Sequence, residues 1–366
     1  MRGLLQLRAS QNTDADRGPG MSDAAPRLRF RDTQIEMAHG AGGEASRRLV
    51  EGLFAPLLMG ASTGPLGDAM HVEVNGVNIA VTADTFVVKP LRLPGGSIGE
   101  LAINGTVNDL AVSGARAQAL VVTRVIEAGL PTEILEAEVR AMAAAASTAG
   151  VIVADGDTKV VGHGKADRMY ITTAGFGQPI TSVSIAPQSV RPGDKVLLSG
   201  PIGDHGITIL LVRGELDSEA DLCSDTRSVL RLVEALAKAV GPGIRWMRDP
   251  IRGGVATSLN ELARDCGLGV HLHEDRIPVR DAVRGACELL GLDPLHIANE
   301  RQFLAVIAAE DVDAGLEALR KKSGSNEAVI IGEIRAEPQA TVLGTTAYGG
   351  TRVIDMLAGD PLPRIC

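Results

Sequence analysis

The chain has few aromatic residues: phenylalanine, tryptophan and tyrosine together make up 2% of its 366 residues. Rings on which nucleobases or sugars could stack are therefore scarce. Basic residues are also in the minority, with 36 Lys and Arg against 45 Asp and Glu and a formal net charge of -9. Because a nucleic-acid surface needs positive charge to displace counterions from phosphates, we expect no nucleic-acid partner.

Cysteine is sparse and widely spaced, at Cys223, Cys266, Cys287 and Cys366. This spacing excludes both a disulfide framework and a structural zinc site, and it fits a reducing cytoplasm. No stretch approaches the ~20 apolar residues of a membrane span, and the first 26 residues lack the apolar segment of a signal peptide. We therefore expect a cytoplasmic protein without membrane contact. Residues 1–34 are predicted to be a disordered extension, within which Met21 is an alternative start.

The standard phosphate-binding motifs are missing as well. The sequence contains neither G-x-x-x-x-G-K-S/T nor a G-x-G-x-x-G between a strand and a helix, so a P-loop ATPase and a Rossmann enzyme are not supported. No G-x-S-x-G nucleophile motif is present either. Glycine, however, is abundant, with 43 residues. Glycine loops let backbone approach a ligand closely, so we expect the chemistry to lie in glycine loops and carboxylates.

Strands and helices alternate in the first half. Alternating apolar residues around Asn75-Gly76 predict a β-hairpin over 70–85. Ser97 and Glu100 form a capping-box pattern that predicts the start of a helix. Further on, "VIVAD" is typical of a strand, and it is followed by the polar, glycine-rich run "GDTKVVGHG". We predict a first α+β domain over residues 35–185.

The second half repeats this alternation. The segment "RPGDKVLLSGPIGDHG" predicts a turn, a strand and a glycine loop, and helices and strands then follow one another to about residue 336. We predict a second α+β domain over 186–340, with the boundary at 186–193. From residue 336 onwards we expect irregular chain, and residues 341–366 are predicted to be a tail. Its last seven residues could reach roughly 23 to 25 Å if extended.

Aspartates recur beside glycine or at the ends of apolar strands, at Asp68, Asp84, Asp109, Asp155, Asp157 and Asp249. Carboxylates that converge on one cleft repel one another unless cations lie between them, and magnesium with nucleotide phosphates is the usual solution. The alternative is that each aspartate is a turn or cap residue. We favour the magnesium interpretation for the set.

Other side chains have two interpretations each. Lys159 follows Asp157 and either neutralises phosphate oxygens or lies on a solvated strand end. Glu300 is either a general base or a surface residue. His39 and His205 lie in glycine loops and either touch phosphate or stabilise those loops.

The chain ends on a cysteine, Cys366, after the proline-rich segment "DPLPRIC". A thiol with the reference pKa of about 8.5 is a few per cent thiolate at pH 7. We expect a mobile, exposed thiol that is presented for chemistry. The alternative is an incidental terminal residue.

Several segments together resemble one family: "MAHGAGG", "PGGSIGELAINGTVNDLAVSGA", "GDTKVV", "SGPIGDHG", "MRDPIRGG", "ACELLGLDPL" and the terminal "PRIC". They are similar to the HypE family, the carbamoyl dehydratases of nickel-iron hydrogenase maturation. This family lies in an ATP-binding superfamily with aminoimidazole ribonucleotide synthetase and selenophosphate synthetase. The resemblance covers residues 35–366.

The resemblance implies a two-domain α+β fold like that of aminoimidazole ribonucleotide synthetase. Strands of the first domain would form a β-barrel core in a homodimer, the second domain would be an α/β sandwich, and the tail would be flexible. ATP and Mg²⁺ would bind between the domains. The carbamoyltransferase HypF would load a carbamoyl group onto the terminal sulfur, and dehydration would yield a thiocyanate. The HypC-HypD iron scaffold complex would then receive the cyanide.

The resemblance also implies roles for individual residues. Cys366 would carry the carbamoyl group, and Lys159 and Glu300 would handle protons. The implied nucleotide-binding residues are Asp84, Asn108, Asp109, Asp157, Thr158, Asp249, Gly253 and Gly254. The predicted metal ligands are Asp68, Asp84, Asp109 and Asp249.

The sequence departs from the family pattern at three sites: Arg301 follows Glu300 where glycine is usual, Glu100 replaces a common lysine or arginine, and Thr85 replaces the usual serine. We expect Arg301 to lower the pKa of Glu300 and so to weaken it as a base. Two alternative functions make different demands on the sequence. A phosphotransferase like selenophosphate synthetase would need a reactive cysteine followed by lysine in the loop "MAHGAGG", which has neither. A non-catalytic, nucleotide-binding adaptor would use the tail only to dock.

Overall fold

The computed structural model describes residues 29–59, 66–180, 182–216, 221–322, 326–357 and 366. The α-helices are α1 (Glu44–Leu49), α2 (Ala55–Leu58), α3 (Ile98–Val112), α4 (Thr132–Ala149), α5 (Asp204–Val212), α6 (Leu230–Val240), α7 (Gly254–Cys266), α8 (Asp281–Leu290) and α9 (Val312–Arg320). The strands are β1 (Met70–Val74), β2 (Val77–Phe86), β3 (Arg92–Leu93), β4 (Gly96–Ser97), β5 (Ala115–Glu127), β6 (Ile152–Val161), β7 (Met169–Pro179), β8 (Lys195–Leu198), β9 (Ile244–Arg248), β10 (Gly269–His273), β11 (Leu304–Ile307), β12 (Val329–Arg335), β13 (Val342–Thr345) and β14 (Thr351–Val353). Within these ranges, no helix combines the length and the apolar character that crossing a bilayer requires.

The first sheet has the strand order β1-β2-β7-β5-β6. The predicted hairpin is confirmed: β1 and β2 pair antiparallel around Asn75 and Gly76, whose φ angles of 52° and 82° belong to the tight turn favoured in hairpins. Strands β5 and β6 run parallel, and helix α4 connects them. The sheet therefore ends on β6, whose other side pairs with no strand among the described residues.

Helix α3 lies at the centre of the molecule. It begins where predicted, because the Ser97 hydroxyl accepts a hydrogen bond from the Glu100 amide. Nearly all of its side chains are buried, as expected for a helix that is apolar on every side. It contacts β2, β5 and β7 of the first sheet, and it also contacts α6 and β9 of the second half. Residues on α3 can therefore act at the junction between the two halves.

The second sheet has the order β14-β13-β10-β12-β8-β11-β9, and its pairs are antiparallel except β10 with β13. Helix α7 and the side chains of Val196, Leu198 and Val306 form the core on one face. On the other face, Leu197 and Ile307 belong to a cluster that is continuous with the core of the first half. The second half is thus a sheet covered on both faces, as the α/β sandwich prediction required.

Two local predictions are wrong. Strand β6 continues to Val161, so the strand does not end with "VIVAD" but includes the run "GDTKVV". Pairing with β5 explains this result: a Cβ at Gly156 would collide with the Val122 carbonyl, so only glycine allows the two backbones to approach. The chain is also regular after residue 336, because β13 and β14 extend the second sheet there. The boundary at 186–193 stays a prediction.

The N-terminal residues that the structure describes are packed against α1 and the segment after it. The Phe30 ring makes an edge contact with the His39 ring, with 5.4 Å between the centroids. The Asp32 carboxylate lies 2.8 Å from His39 Nε2 and 3.1 Å from the Arg48 guanidinium. Of the two interpretations of His39, these contacts favour loop stabilisation. Residues 1–28 of the predicted extension lie outside the described residues.

Candidate active site

A cleft of about 280 Å³ lies at the junction of the two halves. In the first half, its lining comes from the segments before α1 and β1, from β2 and from α3. In the second half, it comes from the end of β9, the loop after it, α7 and the chain terminus. The lining residues are Gly42, Asp68, Thr82, Ala83, Asp84, Asp109, Arg248, Asp249, Ile251, Arg252, Thr257, Ser258, Glu261 and Cys366. The four aspartates predicted to bind metal are all in this lining. Carboxylates that are distant in sequence therefore converge on one site.

Burial and mutual repulsion dominate the electrostatics of these carboxylates. Burial raises the pKa of Asp109 well above its ordinary value, and the charges of Asp249, Asp68 and Asp84 raise it further. Burial likewise raises the pKa of Asp249, and its Oδ2 has no hydrogen-bond partner among the described residues. The carboxylates of the cleft therefore disfavour one another's ionisation.

Arginine Arg248 compensates part of this charge. Its Nε lies 2.9 Å from Asp68 Oδ1, and its NH2 lies 2.8 Å from Glu261 Oε2. Even so, burial raises the pKa of Asp68 to about 6, against the opposing effect of Arg248. Arg248 is thus shared between Asp68 and Glu261, and in the described structure it forms no ion pair with Asp109 or Asp249.

The donor set fits Mg²⁺ that is held jointly with phosphates. Among the described residues, no three His, Cys, Asp or Glu side chains are arranged so that they could hold a metal ion by themselves. Mg²⁺ normally takes only one or two carboxylates and completes its shell with water and substrate phosphates. The unpartnered Asp249 Oδ2 and the raised pKa of Asp109 are the features that such a cation would relieve.

The start of helix α7 forms another wall of the cleft. Gly253 and Gly254 have φ angles of 71° and 61°, and added Cβ atoms would collide with Thr257 and with the Leu295 carbonyl. Both positions therefore require glycine. Thr257 and Ser258, in the first two turns, line the cleft, and Thr257 Oγ1 is buried without a hydrogen-bond partner in the described structure. A helix N-terminus with free donors is a suitable site for phosphate.

The terminal cysteine lies inside this cleft. Only 6% of Cys366 is exposed, and its backbone oxygen accepts a 2.9 Å hydrogen bond from the Val87 amide. The Arg252 guanidinium hydrogen-bonds the Cys366 side chain, and it lies 3.6 Å from Asp84 Oδ1. Burial raises the pKa of the thiol to about 12, although Arg252 opposes the shift. The expectation of an exposed thiol is wrong, because Cys366 is buried in the cleft.

Glu300 lies beside the cleft and is 3% exposed. Burial raises its pKa well above the ordinary value, the charges of Asp225, Asp249 and Asp84 raise it further, and Arg252 opposes them. The expectation that Arg301 lowers this pKa is therefore wrong. The charge of Arg301 instead interacts with Asp225 and Asp204. Glu300 Oε1 has no hydrogen-bond partner among the described residues.

Asn108 fixes the backbone around Glu300. Its amide Nδ2 donates to the carbonyl oxygens of Arg227 and Glu300, at 3.0 and 3.1 Å. Its Oδ1 accepts a 2.8 Å hydrogen bond from the Val229 amide. The side chain thus ties α3 to two segments of the second half, a role that the sequence does not reveal.

The sequence did not distinguish between phosphate contact and loop stabilisation for His205. The structure places its ring next to the Glu300 side chain. The imidazole is fully buried, with Nδ1 2.8 Å from Ser224 Oγ and Nε2 3.9 Å from Glu300 Oε1. Arg248 and Arg252 were missed, although both flank Asp249 in the motif "MRDPIRGG". Ser224 and Asp225 were also missed, and no local pattern singles them out.

Asp157, Thr158 and Lys159 are not brought to the cleft. They lie on β6, where they are exposed, and Lys159 Nζ lies 2.8 Å from Asp157 Oδ2. Strands β7 and β5 separate β6 from β2, which carries Asp84. At about 4.8 Å per strand, β6 and β2 are about 14 Å apart. Within one chain, the predicted site therefore divides into a cleft and a separate edge strand.

Two family models match this chain. The N-terminal domain of AIR synthase related proteins matches residues 66–178, and the C-terminal domain of the same family matches residues 191–344. The matches cover the first sheet and most of the second.

Named relatives cover almost the whole chain. The carbamoyl dehydratase HypE of Azotobacter vinelandii is 46% identical over 340 residues, which is 93% of this chain and 99% of that protein. A solved HypE-HypF complex matches with a TM-score of 0.80 at 39% identity, over 84% of this chain and 99% of that one. A solved HypE in complex with ATP matches with a TM-score of 0.76 at 41% identity, over 91% and 100%.

Proposed function

This chain belongs to the HypE family of carbamoyl dehydratases, and from that premise we propose how its residues perform the reaction. A carbamoyl group carried on the sulfur of Cys366 is dehydrated with ATP to a thiocyanate. The observation that carries the proposal is the burial of Cys366 in a cleft lined by Asp68, Asp84, Asp109 and Asp249. The reacting sulfur and the groups suited to a magnesium nucleotide thus meet in one place.

ATP binds in this cleft, with its phosphates between the aspartates and the start of α7. Asp68, Asp84, Asp109 and Asp249 would hold Mg²⁺, which supplies positive charge to the phosphate oxygens during phosphoryl transfer. Thr257 and the α7 N-terminus would donate hydrogen bonds to the phosphates. Gly253 and Gly254 keep this backbone accessible, since side chains at either position would collide with neighbours.

The carboxamide loses its oxygen in two stages. Its carbonyl oxygen attacks the γ-phosphorus and ADP leaves; the C–O bond then breaks and the oxygen departs with phosphate. Both N–H protons are removed on the way to the nitrile, so a base near the nitrogen is required. Glu300 is our candidate, because it is buried beside the cleft and burial raises its pKa, which makes its carboxylate a stronger base.

The tail must leave the cleft to be loaded. A thiol whose pKa is raised to about 12 is almost entirely protonated at neutral pH, and the protonated form is a poor nucleophile. We infer that the partner carbamoyltransferase HypF, whose complex with a HypE has been solved, acts on the tail outside the cleft. The loaded tail then docks, as Cys366 does here.

A second copy of the chain completes the site. Strand β6 is an open edge, with Ile152 and Val160 65% and 68% exposed, and such edges pair readily with another strand. We propose a homodimer whose first sheets form a shared β-barrel, in which Asp157, Thr158 and Lys159 reach the nucleotide in the other copy's cleft. This arrangement explains why they lie away from the cleft of their own chain.

The product is consumed by an iron acceptor. Thiolate sulfur is a competent leaving group when electron-rich iron takes the cyanide carbon, and serine oxygen would be a worse one. We propose that the HypC-HypD scaffold complex receives the cyanide in the cytoplasm. The direct test is to incubate protein carbamoylated at Cys366 with ATP and Mg²⁺ and to weigh its C-terminal peptide. Loss of one water from the peptide supports the dehydratase activity. An unchanged peptide mass would favour the non-catalytic, nucleotide-binding adaptor.

A further inference from the structure

Asp225 holds the backbone of the proposed base. The residue is 5% exposed, and its Oδ1 accepts a 3.1 Å hydrogen bond from the Glu300 amide. The Arg301 amide also donates to this carboxylate, and Gln302 Nε2 lies 3.5 Å from Oδ2. On the opposite side, the Asn108 side chain donates to the Glu300 carbonyl. Both polar groups of the Glu300 backbone are thus held by side chains from other segments.

The loop that carries Asp225 is itself anchored to the first half. The Ser224 amide donates a 2.8 Å hydrogen bond to the Pro94 carbonyl. Gly95 has a φ angle of 82°, and a Cβ added there would lie 2.5 Å from the Ser224 carbonyl oxygen. Only glycine therefore lets the segment before α3 approach this loop so closely. The position of the Asp225 carboxylate is thus fixed by contacts from both halves.

The charge of Asp225 acts on the same glutamate. Burial raises the pKa of Asp225, whereas hydrogen bonds from the Glu300 and Arg301 amides and the charge of Arg301 oppose this shift. Such donors and a nearby guanidinium favour the ionised carboxylate. After burial, the charge of Asp225 contributes most to the raised pKa of Glu300. Because a carboxylate with a raised pKa is a stronger base, an anion at Asp225 supports proton removal by Glu300.

We propose that Asp225 is a positioning residue for the dehydration: it fixes the Glu300 backbone and places a buried negative charge beside the Glu300 carboxylate. In the described structure Asp225 does not line the cleft, so it acts through Glu300 and does not touch the carbamoyl group. An N–H bond of that group breaks as an O–H bond forms on Glu300, and the electron pair stays on nitrogen to form the nitrile. The inference rests on the proposed role of Glu300.

The test is a single turnover of protein carbamoylated at Cys366, mixed with Mg²⁺ and increasing concentrations of ATP and followed by the mass of the C-terminal peptide. Asp225→Asn keeps the shape of the side chain but removes its charge and one of its two acceptor oxygens. We expect the rate of thiocyanate formation at saturating ATP to fall at least about tenfold, because small displacements of a reacting group slow a reaction strongly. The ATP concentration that gives half the maximal rate should stay within about twofold of wild type.

Asp194→Asn is the matched control. Asp194 is also 5% exposed and accepts a 2.9 Å hydrogen bond from a backbone amide, that of Arg191. It precedes β8 and does not line the cleft in the described structure. Its substitution should leave the rate and the ATP dependence within about twofold of wild type. An equal loss of rate in the two variants would assign the effect to lost stability and overturn the inference.

The pH profile separates a change in basicity from a general disturbance of the fold. The titratable and charged groups around the Glu300 carboxylate are Asp225, Asp249, Asp84, Arg252 and His205. Removal of the Asp225 charge lowers the pKa of Glu300, so the acidic limb of the rate profile should move to lower pH in Asp225→Asn. Asp225→Glu keeps the charge, but its longer side chain no longer fits the Glu300 amide. In that variant the rate should fall while the acidic limb stays in place.

A wild-type rate in Asp225→Asn overturns the inference, as does an acidic limb that does not move in that variant. If Asp225→Asn does not fold, a wild-type rate in Asp225→Glu overturns it. Glu300→Gln distinguishes this inference from the proposed function. If that variant turns over at the wild-type rate, the proposed role of Glu300 fails. If it is inactive while Asp225→Asn is normal, only the role of Asp225 fails.

Discussion

Arg252 hydrogen-bonds the side chain of Cys366, the last residue of the chain. The same guanidinium lies 3.6 Å from the carboxylate of Asp84. One side chain thus connects the tail to the acidic cleft. The backbone oxygen of Cys366 also accepts a hydrogen bond from the Val87 amide, and we expect Arg252 to contribute strongly to keeping this residue in the cleft.

Substitution of Arg252 should release the tail. Arg252→Ala removes a charge-assisted hydrogen bond of about 1.5 to 3 kcal/mol, so undocked tail should become at least about tenfold more populated. Iodoacetamide labelling at neutral pH should then modify Cys366 faster, with the exposed Cys223 as internal control. In wild type we expect Cys223 to be labelled first. Equal labelling of Cys366 in both proteins would show that Arg252 does not hold the tail.

Replacing the sulfur should abolish loading without affecting the nucleotide. Cys366→Ser retains the aspartates and α7, so ATP should bind within about twofold of wild type in calorimetric titration. No stable carbamoyl group should appear on the tail after treatment with the carbamoyltransferase. Cys223→Ser is the control and should load normally. Stable loading of Cys366→Ser would refute the assignment of the acceptor.

The acidic cleft predicts a particular dependence of stability on pH. The folded-state pKa of Asp68 is raised to about 6. A raised pKa means that its protonation favours the folded state; this contribution is complete below the ordinary pKa near 4 and is lost as pH rises through about 6. The nucleotide-free protein should therefore lose about 1 to 3 kcal/mol of its free energy of unfolding from this group between pH 4.5 and pH 7.5. Asp68→Asn should flatten this part of the urea-denaturation profile, and an unchanged profile would count against the electrostatic account.

Neutralising Asp249 should change nucleotide affinity and protein stability in opposite directions. Asp249→Asn removes repulsion from Asp68 and Asp84, so the free energy of unfolding at pH 7.5 should rise. The affinity for ATP with Mg²⁺ should fall at least about tenfold, because a proposed ligand is lost. If the variant has a higher free energy of unfolding but binds the nucleotide with unchanged affinity, Asp249 is not a metal ligand.

Mixed dimers test whether Lys159 acts in the other copy's cleft. Lys159→Ala and Glu300→Gln should each be inactive alone. After the two are unfolded and refolded together, half of the dimers are mixed, and each contains one cleft with both functional residues. We expect about a quarter of the wild-type activity, since one site in two works in half of the dimers. No recovery would mean that Lys159 serves its own chain or does not act at all.

The sequence predicted those parts of the fold that local signals specify. The hairpin at Asn75-Gly76 and the helix that begins at Ser97 carry their own turn and cap residues, and both are confirmed. Strand β6 was misjudged beyond "VIVAD" because "GDTKVV" is polar, and its structure comes from pairing with β5 over the close approach at Gly156. Tertiary pairing of this kind is not visible in local propensity.

The site was predictable where a residue type implied chemistry. Grouped aspartates indicated a cation, and the four predicted as metal ligands do converge. The docked position of Cys366 and the role of Asn108 were not predictable, because both depend on contacts between segments more than 100 residues apart. The effect of Arg301 was misjudged for a related reason: its neighbours in space are Asp204 and Asp225, whereas Glu300 is its neighbour in sequence.

The triple hydrogen bonding of Asn108 has a mechanical consequence. Because one amide holds the Arg227, Val229 and Glu300 backbones against the buried α3, the two halves of a subunit cannot hinge apart there without leaving three backbone groups unsatisfied. The spacing between the proposed base and the acidic side chains is thereby kept constant through the cycle. We therefore expect entry of nucleotide and release of product to require movement of Cys366 out of the cleft, without separation of the two halves at Asn108.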